Sequence, residues 1–291
     1  MIQGSLTALV TPFKDGALDE KAFQEFVEWQ IASGTHGLVP CGTTGESPTL
    51  SDKEHRRVIS LCVEAANGRV PVVAGAGSNE TVVSISYAKH AKELGADAAL
   101  VVTPYYNKPS QEGIYQHFKA IADAVDIPIV VYNIPGRSIV DISNETMARL
   151  SKLPTVIACK DATGDISRVV QLNDLCGDDF IQLSGDDGTS LGHSVHGGLG
   201  TISVGSNIAP KIYAEFHDAC LSKDYVKAAA LNTKLDRLHQ DLFLDPSPAP
   251  TKYALSLLGR MSPDVRLPIT PCTDSTKRAV EAAMTRAGIS W

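Results

Sequence analysis

The chain has 291 residues, of which 43% are hydrophobic and 20% charged, and its formal net charge is −7. Such a chain can form one large globular domain or two medium ones, and its acidic balance argues against nucleic acid as the main partner. No stretch approaches the roughly 20 apolar residues of a membrane span, and residues 1–11 lack the features of a signal peptide. The six scattered cysteines contain no C-x-x-C pair, so we expect reduced thiols and a cytoplasmic protein.

Short apolar runs alternate with segments of helical periodicity along most of the chain. The predicted strands are 5–10, 37–40, 70–74, 98–102, 129–132, 156–159, 181–183 and 200–204. The predicted helices are 18–31, 51–66, 79–94, 111–124, 143–150, 166–175, 189–196 and 209–221. This alternation predicts an α/β fold with a parallel sheet closed into a (β/α)8 TIM barrel. A doubly wound open sheet is the alternative, but the chain has no pyrophosphate fingerprint.

The alternation stops after the eighth strand and helix. Residues 225–243, 251–258 and 274–287 predict three further helices, and the segment 245–250 is rich in proline. Few apolar residues remain for a separate core. We therefore expect a barrel domain over 1–224 and a C-terminal helical appendix over 225–291, which does not fold as an independent domain.

Lys160 follows the sixth predicted strand. Residues 156–159 form an apolar, partly β-branched run after Pro154, which indicates a buried parallel strand. Desolvation disfavours an ammonium, so a lysine at the end of such a strand can have a lowered pKa and act as a nucleophile. The alternative is an ion-paired or snorkelling lysine at the rim. We favour the nucleophile, because α/β folds keep their chemistry at strand C-termini.

The turn 42–46, Gly-Thr-Thr-Gly-Glu, follows the second predicted strand. Its glycines let the backbone approach a ligand closely, and its two hydroxyls and consecutive N–H groups can hold a carboxylate. The alternative is an ordinary Gly-rich turn with a threonine cap.

Three tyrosines and an arginine follow the fourth and fifth predicted strands. Tyr105 and Tyr106 come after the fourth strand, Tyr132 ends the fifth, and Arg137 lies on a Pro-Gly turn. A tyrosine beside an activated lysine can carry protons, and an arginine on a rigid turn can bind a carboxylate through two hydrogen bonds. The alternatives are rim or interface aromatics and an ordinary surface arginine.

His193 and His196 have an i,i+3 spacing that could suggest a metal site. No carboxylate has a fixed spacing to the pair, and His196 runs into two glycines. We therefore expect no metal. The chain also lacks a G-x-S-x-G elbow and a P-loop.

Five motifs occur in order at residues 42–46, 103–109, 132–137, 159–164 and 184–187. Together they closely resemble the dihydrodipicolinate synthases (4-hydroxy-tetrahydrodipicolinate synthases) of the class I, Schiff-base aldolase family. The lysine strand and the Gly-x-Thr-Gly-Glu motif mark the wider family. The doubled threonine, the Tyr-Tyr pair and the Pro-x-Arg are more particular to the synthases. The resemblance covers essentially the whole chain.

The resemblance implies catalytic roles for four residues. Lys160 would form an imine with pyruvate, and Tyr132 would act as the acid and base beside it. Thr43 would link Tyr132 to Tyr106, which in this family enters from the neighbouring subunit.

The resemblance also implies the substrate contacts. Thr44 and the adjacent amides would hold the pyruvate carboxylate, and Arg137 would bind the carboxylate of aspartate semialdehyde. The backbone carbonyls of Gly185 and Ile202 would line the pyruvate side. No metal or organic cofactor is implied, and the expected assembly is a homotetramer built from tight dimers. The implied pathway is diaminopimelate and lysine biosynthesis.

In members of this family that lysine inhibits, a cleft at the dimer interface binds the inhibitor. The corresponding residues here are Ser47, Asp52, His55, Asn79, Val83 and Tyr105. Asp52 replaces a histidine of the sensitive pattern, and Val83 replaces a glutamate that pairs with an ammonium of lysine. We therefore expect weak inhibition or none.

Two other functions compete with the synthase. The chain could be another pyruvate aldolase that cleaves a sugar acid, although Thr44 and Arg137 favour a second substrate that carries a carboxylate. It could also be a catalytically silent barrel, but such a protein would be expected to lose Lys160 or the tyrosine pair.

Overall fold

Eight parallel strands form the wall of a barrel in the computed structural model, which describes residues 2–291. The strands are β1 Gly4–Ala8, β2 Gly37–Val39, β3 Val73–Gly75, β4 Ala98–Val102, β5 Ile129–Asn133, β6 Val156–Asp161, β7 Ile181–Ser184 and β8 Gly200–Ser203. Neighbouring strands pair in the order β2-β1-β8-β7-β6-β5-β4-β3, and a bridge between Leu38 and Val72 joins the two ends. The predicted (β/α)8 barrel is therefore confirmed.

Helices alternate with these strands, as the periodicity predicts. No helix within residues 2–291 is long and apolar enough to cross a membrane. The helices that follow the barrel strands are α1 Glu20–Ala32, α2 Asp52–Ala66, α3 Thr81–Leu94, α4 Gln111–Ala124, α5 Pro135–Ser138, α6 Asn144–Leu150, α7 Ser167–Cys176, α8 Ser190–Val195 and α9 Pro210–Leu221. The C-terminal helices are α10 Tyr225–Asp241, α11 Ala249–Leu257 and α12 Asp274–Ala287.

A capping box begins α2. The backbone N–H of Glu54 donates to Ser51 Oγ at 3.3 Å, and the Ser51 N–H donates to Glu54 Oε2 at 2.9 Å. The two bonds satisfy N–H groups that have no partner within the helix. They fix the start of α2 directly after the Gly-rich turn.

A short antiparallel hairpin, Phe13–Lys14 paired with Ala17–Leu18, precedes α1 and was missed by the periodicity. Asp15 and Gly16 form its two-residue turn with φ of 52° and 81°. Asp-Gly is a strong signal for such a turn, but the adjoining strands are too short to show alternation. The helix therefore begins at Glu20 rather than at residue 18.

Strand β6 continues two residues beyond its predicted end and includes Lys160. Lys160 pairs in register with Tyr132 on β5 and with Leu183 on β7, so the neighbouring ladders extend the strand. Side chains alternate between the two faces of a strand. Ala158 belongs to the apolar cluster inside the barrel and Cys159 to the outer core, so Lys160 points inward again.

The C-terminal helices share the core of the barrel helices. Leu235 and Leu238 of α10 and Val280 and Met284 of α12 belong to the same buried apolar cluster as the outer faces of the strands. We propose that residues 225–291 extend the barrel of 1–224 and do not form a separate domain, because their apolar side chains are shared with it.

Candidate active site

Lys160 is buried at the C-terminal end of the barrel, where only 6% of its surface is exposed. Burial lowers the pKa of its amine to about 7, with a smaller raising effect from Asp187 and a smaller lowering effect from Arg137. Burial dominates because an ammonium loses its hydration inside the protein. Near neutral pH a large fraction of this amine is therefore unprotonated and nucleophilic.

The Tyr132 ring lies against that amine, with Lys160 Nζ 4.1 Å from the ring centroid. Tyr132 is itself buried, and burial raises the pKa of its hydroxyl to about 12, against smaller lowering effects from Thr43 and Arg137. The hydroxyl consequently keeps its proton at neutral pH and can donate it. A proton donor and a neutral amine therefore lie side by side.

A cavity of about 250 Å³ opens at this end of the barrel. Thr43, Tyr132 and Arg137 line it together, and Ser47 and Tyr105 line it as well. The guanidinium of Arg137 forms no ion pair with any residue from 2 to 291. It is therefore available to an anionic group in the cavity.

The turn 42–46 is compact. The N–H of Gly45 donates to the carbonyl of Gly42 at 3.1 Å, and Thr11 Oγ1 donates to the carbonyl of Gly45 at 2.7 Å. Thr44 is buried, whereas Thr43 is partly exposed and reaches the cavity. The backbone of this turn also packs tightly on β3, because a Cβ on Gly75 would lie 2.1 Å from the carbonyl oxygen of Cys41.

Gly185 and Ile202 lie at the C-terminal ends of β7 and β8, on the Lys160 side of the barrel. A Cβ on Gly185 would lie 3.0 Å from Lys160 Cε and 2.7 Å from the Cβ of Ala162. Only glycine therefore leaves room for the lysine side chain there. Ile202 is buried among the apolar side chains of the barrel interior.

The fold of a single chain does not place Tyr106 beside Lys160. Its side chain is 89% exposed, and its backbone has a left-handed φ of 71°. Such a φ is uncommon for a bulky residue and marks a functional or strained position. Tyr105, the preceding residue, lines the cavity instead.

The two histidines considered for a metal do not face a common site. His193 is buried, and a Cβ on Gly198 would lie 1.9 Å from its Nδ1. His196 Nδ1 lies 2.8 Å from the carbonyl of Gly192. Residues 2–291 bring together no group of three His, Cys, Asp or Glu side chains that could hold a metal ion.

Asp187 is a residue of the site to which the sequence assigned no role. It is 5% exposed, and its Oδ2 accepts hydrogen bonds from the backbone N–H groups of Val204 at 3.0 Å and Gly205 at 2.9 Å. Its Oδ1 has no hydrogen-bond partner within the described residues. The two consecutive aspartates after the seventh strand were the signal by which the sequence could have indicated this residue. The sequence does not show which of the two carboxylates is buried.

The fold and this site define a class of protein. A (β/α)8 barrel with a buried, low-pKa lysine at the end of its sixth strand is built like the class I aldolases, which bind a ketone through a lysine.

Comparison with known proteins identifies the family within that class. The family model described as "Dihydrodipicolinate synthetase family" matches residues 1–287. A 4-hydroxy-tetrahydrodipicolinate synthase of Methylobacterium radiotolerans is 58% identical over 288 residues, which cover 99% of this chain and 96% of that protein. The chain therefore belongs to the dihydrodipicolinate synthetase family, and the resemblance seen in its motifs is confirmed.

Solved structures agree with this assignment. A chloride-inhibited dihydrodipicolinate synthase from Acinetobacter baumannii, complexed with pyruvate, superimposes with a TM-score of 0.97 at 47% identity, covering 100% of both chains. A structure described as the first monomeric dihydrodipicolinate synthase variant gives a TM-score of 0.96 at 40% identity. It covers 99% of this chain and 97% of that one.

We predict that Asp187→Asn lowers the pKa of Lys160, because the nearby negative charge that favours the ammonium is removed. The rate of imine formation with pyruvate falls at acid pH as Lys160 becomes protonated. This acid limb of the pH–rate profile should move to lower pH by about one unit, the effect of one buried charge. The measurement is the rate of borohydride trapping of Lys160 as a function of pH. Asparagine keeps an oxygen that can accept a bond from Val204 or Gly205.

Asp186→Asn is the matched control, because this neighbouring carboxylate hydrogen-bonds to Gly188 and Thr189 and is only partly buried. The acid limb of the pH–rate profile of Asp186→Asn should stay at the wild-type pH. An unchanged or raised limb in Asp187→Asn would contradict the role of this charge.

Proposed function

We infer that the chain is a 4-hydroxy-tetrahydrodipicolinate synthase, a lyase of the class I aldolase type. It condenses pyruvate with L-aspartate 4-semialdehyde in diaminopimelate and lysine biosynthesis. The full-length match to a relative of that name supports this function, as does the similar structure that is complexed with pyruvate. Within the chain, the observation that carries it is the buried Lys160 amine, with a pKa of about 7, against the Tyr132 ring.

The first step is imine formation. The neutral amine of Lys160 adds to the ketone carbon of pyruvate, and loss of one water gives the C=N bond. Tyr132 supplies the proton that leaves with the water, which suits a hydroxyl that stays protonated at neutral pH. The protonated imine then draws electrons from the methyl group, which gives a proton to the Tyr132 oxygen deprotonated in the preceding step and becomes an enamine carbon.

The second step joins the two substrates. The enamine carbon attacks the aldehyde carbon of the semialdehyde and forms the C–C bond. The amino group of that substrate then displaces Lys160 from the imine and closes the ring. The protonated imine of Lys160 provides the electron sink when the methyl group loses its proton, so we propose that no metal or organic cofactor takes part.

Substrate carboxylates fit two places at the cavity. Thr44 and the amides of the 42–46 turn would hold the carboxylate of pyruvate, with the carbonyls of Gly185 and Ile202 along the pyruvate side. Arg137, exposed at the cavity wall and without an ion pair in the described chain, would hold the carboxylate of the semialdehyde. This free guanidinium argues against a sugar-acid aldolase, whose second substrate needs a hydroxyl-binding loop.

We predict that pyruvate and borohydride add a covalent mass to Lys160, and that Lys160→Ala abolishes both the adduct and turnover. Among residues 2–291, no other lysine ammonium lies over the Tyr132 ring to replace it. The measurements are peptide mass spectrometry and steady-state rates. The control is Lys211→Ala, which removes an exposed lysine on α9 and should behave like the wild type.

Residual activity in Lys160→Ala within about tenfold of wild type, or ~1.4 kcal/mol of transition-state stabilisation, would refute the role of Lys160. An adduct without turnover of aspartate semialdehyde would favour a sugar-acid aldolase.

We propose that the chain assembles as a homotetramer of tight dimers and that Tyr106 acts in the neighbouring subunit. An exposed tyrosine with a left-handed backbone, next to the cavity-lining Tyr105, supports that placement. There it would complete the relay from Tyr132 through Thr43. Reduced thiols in all six cysteines fit the proposed cytoplasmic location.

We predict that Tyr106→Phe lowers the maximal rate without unfolding the protein. Co-expression of Tyr106→Phe with Lys160→Ala should then restore activity above that of either variant alone. A mixed dimer has one site with an intact Lys160 and the partner's intact tyrosine. The measurement is the rate of purified mixed species beside each parent. Activity no greater than the average of the two parents would place Tyr106 in its own subunit's site.

We propose that lysine inhibits this enzyme weakly or not at all. Ser47 and Tyr105 line the cavity, and His55 stacks on Tyr87 with ring centroids 3.9 Å apart. The carboxylate of Asp52 accepts a bond from Arg56 Nε at 2.9 Å, so its charge is already paired and does not replace the missing glutamate. Asn79 and Val83 would complete the cleft, and Val83 offers no charge.

We predict half-inhibition by lysine only above about 0.1 mM at saturating pyruvate, a binding free energy weaker than about −5.5 kcal/mol. Val83→Glu should lower that concentration at least tenfold, because it supplies a carboxylate for the ammonium. Lysine titrations of both proteins measure this. Strong inhibition of the unchanged chain would show that position 83 is not decisive.

A further inference from the structure

Lys252 of α11 is a second buried lysine, and its side chain has no exposed surface. Its Nζ donates to Glu46 Oε1 at 2.6 Å and to the carbonyl of Asp264 at 2.6 Å. Lys252 and Glu46 are 206 residues apart in sequence. A fully buried ion pair needs such additional hydrogen bonds to offset the loss of hydration. Lys252 therefore connects the C-terminal extension directly to the turn 42–46.

Arg266 makes a second connection to the same turn. Its backbone N–H donates to Glu46 Oε2 at 2.9 Å, so both oxygens of that carboxylate are held. Its guanidinium donates to the carbonyl of Thr49 at 3.0 Å and to Glu54 Oε2 at 2.9 Å. The Phe13 ring covers this cluster, with its centroid 4.1 Å from Lys252 Nζ and 4.0 Å from the Arg266 guanidinium carbon.

Glu46 is where this support acts on the turn. Its backbone has a left-handed φ of 55°, which is unfavourable for a residue other than glycine. Its N–H donates to the carbonyl of Thr43 at 3.1 Å, so the residue that Lys252 holds is bonded to the residue that reaches the cavity. Two glycines would otherwise leave the turn flexible.

We propose that Lys252 and Arg266 are positioning residues for the reaction, which hold Glu46 so that the amides of Thr43 and Thr44 are fixed for the pyruvate carboxylate. The inference rests on the proposed role of this turn in pyruvate binding. A turn that is already ordered loses little conformational entropy when the substrate binds. The C-terminal extension thus contributes to the catalytic site although none of its residues lines the cavity.

The decisive variant is Lys252→Met, compared with Arg237→Met as the matched control. Arg237 also pairs with a buried carboxylate in the C-terminal extension, Asp241 at 2.8 Å, but it makes no contact with the turn. We expect Lys252→Met to raise KM for pyruvate and slow borohydride trapping of pyruvate at least tenfold. KM for the semialdehyde should change less than twofold. The pH dependence of borohydride trapping should be the same as in the wild type.

Thermal unfolding separates this role from a purely structural one. A lower Tm with unchanged pyruvate capture would overturn the inference, and so would equal effects of Lys252→Met and Arg237→Met on pyruvate. A wild-type protein that traps no pyruvate would instead refute the proposed function.

If Lys252→Met does not fold, the double variant Glu46→Gln with Lys252→Met can be tested instead, because it leaves no unpaired buried charge. We expect it to recover stability and to keep the raised KM for pyruvate. Recovery of both stability and pyruvate capture would mean that Lys252 only neutralises Glu46, which would overturn its positioning role.

Discussion

The loss of hydration around one ammonium underlies the chemistry of this protein. Lys160 lies inside the barrel, where its pKa falls to about 7, whereas an exposed lysine would be almost entirely protonated at neutral pH. The same burial raises the pKa of the neighbouring Tyr132 to about 12. Burial in one low-dielectric site therefore leaves the Lys160 amine nucleophilic and keeps the Tyr132 hydroxyl protonated, so that it can donate a proton.

That burial depends on the geometry of parallel strands. Alternation along β6 turns Lys160 into the barrel, and its register places it between Tyr132 and Leu183. A glycine at position 185 then leaves space for the aliphatic part of the lysine, since a Cβ there would lie 2.7 Å from the Cβ of Ala162 and crowd Lys160 Cε at 3.0 Å. A shift of one residue in this register would turn the amine outward, into the layer between strands and helices.

Two buried carboxylates, those of Asp187 and Glu46, carry negative charge around the site. Asp187 faces the lysine from the loop after β7, with one oxygen held by two backbone amides. Glu46, at the end of the Gly-rich turn, is held by Lys252 and by the backbone of Arg266. The partners of Asp187 are 17 and 18 residues away in sequence, and those of Glu46 are 206 and 220 residues away, so the site's electrostatics depend on the assembled fold.

Hydrophobic periodicity and short motifs predicted the alternating barrel strands and helices, the family and the candidate residues Lys160, Tyr132, Thr43 and Arg137, because both signals are local. They missed the short hairpin before α1, whose strands are two residues long. Tertiary structure alone decided that Lys160 lies within β6, because the neighbouring strands extend the ladder. It alone brought Glu46 to Lys252 and buried Asp187, because partners 206 residues apart leave no periodic signal. Burial and charge pairing are properties of the packed chain, and they set the pKa values on which the chemistry depends.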